Sequence, residues 1–136
     1  VQIDAILCEA ATIRDGLLNV LSAGITRVYR ESYPSLMGTQ LAMVLHCSPK
    51  EAGKAHKMVL SLVQSNKQKA AEVSLDFSVS PAEAKSPLQV SVPLVANFTQ
   101  QVLPTEGVYE LEIAVDGKVL RTLQFQAARP VAAAKA

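Results

Sequence analysis

The sequence contains no tryptophan, and its other aromatic residues amount to three phenylalanines and three tyrosines. A core made from it must therefore be filled by Val, Leu, Ile, Ala and Met, which hold their places by close packing rather than by ring stacking. Cysteine occurs twice, at Cys8 and Cys47, too few for the bridged framework of a small secreted domain. The two are expected to be buried free thiols. Charge of one sign is never concentrated: 13 Lys and Arg are interspersed with 12 Asp and Glu, for a net charge of +1. A phosphate-tracking protein carries a basic stripe, so nucleic acid is not expected as a partner. No apolar run approaches the roughly 18 residues that cross a bilayer, so membrane insertion is not expected either. The N-terminus lacks the basic-then-apolar layout of a signal peptide. The expected location is the cytoplasm or a particle, with earlier processing left open because the chain starts at Val1.

The usual constellations of catalysis are also missing. The glycines are scattered and none forms a phosphate-cradling loop; there is no zinc-ligand spacing and no Gly-x-Ser-x-Gly elbow. His46 and His56 are the only histidines. His46 adjoins Cys47, but neighbours on a strand point to opposite faces and cannot serve one centre, so both histidines are expected at the surface or rim. Glu110 and Glu112 belong to the polar face of a strand, and Asp15 and Asp116 precede glycines, where turn chemistry accounts for them. Glu9 and Arg14 bracket the first hairpin and are expected to form a structural ion pair rather than a site. Asn19 lies in the otherwise apolar Leu17–Leu21 and would need partners if buried. Asn97-Phe98-Thr99 matches a glycosylation pattern that has no meaning without secretion. No catalytic residue, cofactor or metal is expected.

What the sequence does contain is alternation. Val73, Leu75, Phe77 and Val79 alternate with polar residues, as do Val90, Val92, Leu94, Ala96 and Phe98, with Pro93 placing that strand at an edge or a bulge. Tyr109, Leu111, Ile113 and Val115 form the clearest strand. Asp116-Gly117 follows as a two-residue type I′ turn, and Val119, Leu123 and Phe125 line the return. Ile3–Thr12 and Leu17–Tyr29, joined at Asp15-Gly16, carry apolar residues on both faces. So do Gln40–Cys47 and His56–Gln64. Strands of that kind are covered on both sides or face a partner. Ser48, Pro49 and Glu51 predict one short helical turn closed by a capping box. Residues 30–38, 65–71 and 80–89 are expected to be loops. About eight strands with almost no helix define an all-β, immunoglobulin-like sandwich over residues 1–127, with a small barrel as the alternative and an Ala-rich tail over 128–136.

The loop from Tyr29 to Gly38 is the candidate recognition element. Tyr29, Arg30, Tyr33, Leu36 and Met37 are types enriched at interface centres, and Pro34 stiffens the loop. The alternative is that Leu36 and Met37 cap one end of the core.

The stretch from Cys8 to Leu21, then Gly24-Ile25-Thr26-Arg27, and later Gly107-Val108-Tyr109 and Val115-Asp116-Gly117, resembles a family of small bacterial proteins, frequent in actinobacteria, whose function is uncharacterised. The resemblance extends to about Gln126. It implies a β-sandwich and brings no active residues with it.

The expected function is that of a non-enzymatic structural or protein-interaction module acting through its surface. It would self-associate or bind a protein partner, as a homo-oligomer or an accessory component of a larger assembly or protein shell. The alternative is a small-molecule or lipid carrier with an apolar pocket between the sheets; an enzyme using Glu9, Arg14 or His46 is the remoter third. The thiols give a first test. Cys8 and Cys47 should resist a thiol reagent in the native protein and react once it is denatured. An intact mass two hydrogens light, restored by reductant, would reveal a disulfide instead.

Overall fold

The computed structural model describes residues 1–131. Its strands are β1 (Gln2–Arg14), β2 (Leu17–Ala23), β3 (Arg27–Tyr29), β4 (Ser35–Leu36), β5 (Gln40–Cys47), β6 (Ala55–Gln64), β7 (Lys69–Ser78), β8 (Val90–Asn97), β9 (Val102–Leu103), β10 (Gly107–Val115) and β11 (Lys118–Ala128). One sheet has the order β2-β1-β5-β8 and a second the order β3-β11-β10-β6-β7, with β4 and β9 forming a small pair of their own. The two main sheets are separate, so the protein is a sandwich rather than the alternative barrel. All main-sheet pairings are antiparallel except β3, which runs parallel to β11.

The core is the layer the alternation predicts. Leu41, Met43, Leu45 and Cys47 of β5 face inward with Met58, Leu60 and Leu62 of β6 and Leu111, Ile113 and Val115 of β10, all buried. Burial of one such aliphatic side chain stabilises by about 1.5–3 kcal/mol. Tyr109 stacks on Phe125 with ring centroids 5.4 Å apart. Its hydroxyl donates to the Thr105 carbonyl at 2.6 Å and accepts from the Thr105 amide at 3.2 Å. This is the tyrosine corner of immunoglobulin-like domains, formed where the chain turns into β10. Cys8 and Cys47 are both free and buried, and burial pushes both thiols up from their ordinary value.

Several expectations need correction. Leu17–Tyr29 is two strands in different sheets. Ser22 and Gly24 adopt positive φ (54° and 95°), and the amides of Gly24 and Ile25 both donate to the Leu7 carbonyl, so the chain leaves one sheet there and joins the other. Loop 30–38 contains β4, and loop 80–89 contains a 3-10 turn at Pro81–Lys85. The first 3-10 turn, Pro49–Glu51, forms where expected, but without a capping box. The Ser48 hydroxyl accepts from the Lys50 amide, and the Glu51 side chain goes elsewhere. β11 runs one residue into the expected tail, and residues 132–136 of that tail lie outside the described residues.

Both Asp-Gly turns form as the sequence predicts. Asp15 and Gly16 have φ of 53° and 72°, Asp116 and Gly117 of 51° and 86°, the left-handed pair that a type I′ turn demands. A Cβ at Gly117 would meet nothing within 4 Å, so substitution there tests backbone strain alone. Gly117→Val should cost about 1–3 kcal/mol and lower Tm by several degrees in a thermal melt. An unchanged Tm would show that the turn does not depend on glycine.

Candidate functional site

The Tyr29–Gly38 loop is anchored to the rest of the protein through Arg30, Tyr33 and Met37. Arg30 holds it from within: Nε donates to the Leu36 carbonyl, Nη1 to Tyr29 and Nη2 to Met37, at 3.0, 2.7 and 2.8 Å. Gly38 has φ of 68°, and a Cβ there would come within 2.5 Å of Arg30 Nη2, so a side chain at this position would displace the guanidinium. The Tyr33 hydroxyl lies 2.8 Å from the Ala128 carbonyl and 3.2 Å from that of Val28. Burial pushes that hydroxyl's pKa up, against the opposing influence of Arg30. Met37 is completely buried and its amide donates to Gln101. Of the residues expected at a contact, Met37 is therefore corrected to core and Tyr33 to a half-buried strut, because the β4–β9 pairing draws the loop over the end of the sandwich. Tyr29, Pro34 and Leu36 remain exposed and Arg30 is half-buried.

The histidines occupy different environments. His46 is on the outer face of β5, between Asp4 on β1 and Ser91 on β8. Its Nε2 lies 2.7 Å from Asp4 Oδ2, and Ser91 Oγ lies 3.3 Å from its Nδ1. The row contains the residue types of a serine-nucleophile triad. However, the Asp4 side chain is 80% exposed, so water screens the charge that would have to steer the imidazole. The row is a cross-strand polar ladder, and Cys47 points the other way, into the core.

His56 is not at the surface. Its side chain is 9% exposed and stacks on Phe77 at 5.0 Å. Nδ1 donates to Asp116 Oδ2 at 2.6 Å, while Glu51 Oε2 stands 3.0 Å from Nε2 but off the N–H direction, a charge contact rather than a hydrogen bond. The imidazole thus pins the start of β6, the first 3-10 turn and the β10–β11 turn together. Asp116 is separated from His56 by sixty positions, and its turn role masked the second one; no local signal could have revealed it.

A cluster of exposed apolar side chains lies on the β1–β2 hairpin. β1 pairs with β5 through its first half and with β2 through its second. The hairpin bends over the outer face of the sheet, where Leu18 and Val95 pack against Cys8, Ala11 and Ala42 in a second small core. The Gln40 side chain fastens the bend by accepting from the Ala11 amide at 2.6 Å. What remains outside is apolar: Leu17 is 70% exposed, Leu21 62%, Ile13 46% and Val20 39%. Asn19 lies exposed among them. Among the described residues no ion pair joins Glu9 to Arg14, because an odd spacing on one strand sends them to opposite faces. Depressions open on the hairpin, on the outer sheet face beside Leu18 and at the β3 edge, and a further one lies between β1 of one sheet and β11 of the other, lined by Ala5, Leu7, Ile25 and Leu123. Among the described residues no cluster of three metal-ligating side chains forms, and no helix is long and apolar enough to cross a membrane.

Two packed sheets, a tyrosine corner and a β3 strand parallel to β11 define an immunoglobulin-like sandwich domain. Over residues 3–128 the chain matches the family of unknown function DUF6941, and it belongs to that family. Among solved structures it is similar to an immunoglobulin-like protein from Pseudomonas aeruginosa. That likeness has 17% identity and a TM-score of 0.42, and it covers 93% of this chain and 94% of the other. A search of curated proteins finds no match.

The His56 pin generates a prediction about acid. Asp116 is held below the ordinary carboxylate value, first by the hydrogen bond from His56 and then by the Lys57 amide. A carboxyl depressed in the folded state stabilises it at pH above the ordinary range, about 4, and that contribution is lost as pH falls through the depressed value. Asn suits the same turn position, so Asp116→Asn isolates the charge. Plotted against pH, its Tm should lie below wild type near neutrality and converge with it in strong acid. Parallel curves would show that the link adds nothing.

Proposed function

We propose that this chain is a non-enzymatic structural or protein-interaction module, working through its surface as an accessory component of a larger assembly or shell. The observation that carries this reading is the β1–β2 hairpin, which holds Leu17 and Leu21 mostly in water. Exposed apolar clusters of this kind mark contact sites in soluble proteins. Tyr29 and Leu36, across the molecule's loop end, are a lesser candidate surface. The setting proposed with it is the one the resemblance implied, a bacterium of actinobacterial kind, with the protein in the cytoplasm or in a particle.

Native mass spectrometry of the protein from its source tests this against the carrier alternative. An interaction module gives masses above the 14.5 kDa chain, without a small-molecule adduct. Replacing Leu17 and Leu21 together by Ser should remove those masses, whereas Tyr29→Ala with Leu36→Ser should change them less. A monomer carrying a constant small adduct, indifferent to the hairpin changes, would favour the carrier.

A further inference from the structure

The partner of the hairpin can be specified further, given the proposal that the hairpin is a contact surface. β2 is an edge strand, and so are β8, β3 and β7. Edges left open invite another chain, and proteins guard them with proline, charge, bulges or brevity. β8 carries Pro93 in mid-strand, β7 carries Lys69, Glu72 and Asp76, and β3 is three residues long. β2 runs seven residues, Leu17–Ala23, with no proline and no charged side chain. Its one irregularity is the positive φ of Ser22 at its far end. β2 is therefore the least guarded edge of the fold.

The hairpin also sets which groups are free to pair. With a two-residue turn at Asp15-Gly16, Arg14 and Leu17 are the hydrogen-bonded pair that closes it. Asn19 and Leu21 then bond inward to β1, opposite Thr12 and Ala10. Leu18 and Val20 turn their N–H and C=O groups outward. A second β2, antiparallel across a two-fold axis, would pair with those groups. With the axis at Asn19, Leu18 bonds to the partner's Val20 and Val20 to the partner's Leu18, four backbone hydrogen bonds in all by alternation. Leu17 then stands opposite the partner's Leu21, on the same face as Asn19. The two Asn19 amides meet at the axis, where each can donate to and accept from the other. Placing the axis at Val20 instead would set Asn19 against the partner's Leu21 and would draw Ser22 into the pairing.

We infer that β2 pairs antiparallel with β2 of a second copy, with Asn19 on the two-fold axis, joining the two β1-containing sheets into one. A second copy fits because an uncharged edge meets no like-charge penalty when it faces itself. Leu17 and Leu21 on one face of the ribbon, with Ile13 and Val20 on the other, together leave roughly 400 Å² of apolar surface around this edge, the scale of a functional patch when both faces are counted. A standard interface takes about 800 Å² per partner, so with the flanking hairpin residues the dimer should form in the micromolar range.

Sedimentation equilibrium from about 1 to about 200 μM, the range that brackets such an affinity, should show wild type moving from monomer to dimer. Leu21→Lys, at a position exposed in the monomer, should weaken association about tenfold or more, because the two-fold repeats the loss, with Tm held. Under mild oxidation Asn19→Cys should give a covalent dimer and Val20→Cys should not, since only the axial pair places a residue opposite itself at disulfide distance. Cross-linking through Val20→Cys alone overturns the register. A dimer that ignores Leu21→Lys and does not cross-link at Asn19→Cys overturns the β2 interface but leaves the module reading standing. A monomer that binds a different protein through the hairpin does the same. A monomer throughout, with no hairpin-dependent complex in the native spectra, overturns both.

Discussion

The structure depends on one layer of aliphatic side chains held between two sheets. With no tryptophan and three phenylalanines in the chain, cohesion comes from many small contacts: Leu41, Met43 and Leu45 on one side, Met58, Leu60, Leu62, Leu111 and Ile113 on the other. Dispersion between such groups is weak per atom pair and works only at close packing. That requirement explains the strictness of the alternation in β10, since a one-residue slip would turn a strand's apolar face into water. It also explains why polar devices gather at the ends of the layer. The Tyr109 corner, the Arg30 staple and the His56–Asp116 pin each tie a turn or loop to a neighbouring strand where the aliphatic layer stops.

The β1–β2 hairpin follows the same physics with a different outcome. β1 runs thirteen residues, longer than β5 can pair, and its surplus folds back with β2 over the outside of its own sheet. The bend covers Cys8, Ala11 and Ala42 but leaves the opposite face of the ribbon uncovered. The fold gains no internal stability from leucines placed there, and they are open to contact with something outside the chain. The proposed self-pairing gives them that contact and also accounts for Asn19, whose amide has a purpose when it faces its own copy. His46 with Asp4 and Ser91 shows the contrasting case, in which suggestive residue types in contact are placed in solvent and form a ladder.

Alternation, two Asp-Gly turns and an edge-marking proline were enough to define the sheets in outline, because each acts through neighbours one to four positions apart. The sandwich, the β10–β11 hairpin, the edge position of β8 and the buried free thiols were legible in that way. The candidate site was legible only in part. The two-sided apolar pattern of residues 3–29 pointed to the hairpin, but loop composition pointed more strongly to Tyr29–Gly38, where Met37 proved to be core and Tyr33 a strut. Composition does not distinguish a side chain that seals the protein's own core from one that awaits a partner, since both are apolar and near a turn.

The sequence by itself determined the local conformations: which residues alternate, and where the two Asp-Gly turns need positive φ. Tertiary structure alone decided where the chain changes sheets after Ser22, which face of the first hairpin was covered, and that His56 meets Asp116 across sixty positions. The physical reason is range. Backbone sterics and strand periodicity are short-range and are written in adjacent residues, whereas burial depends on which distant surfaces the fold brings together.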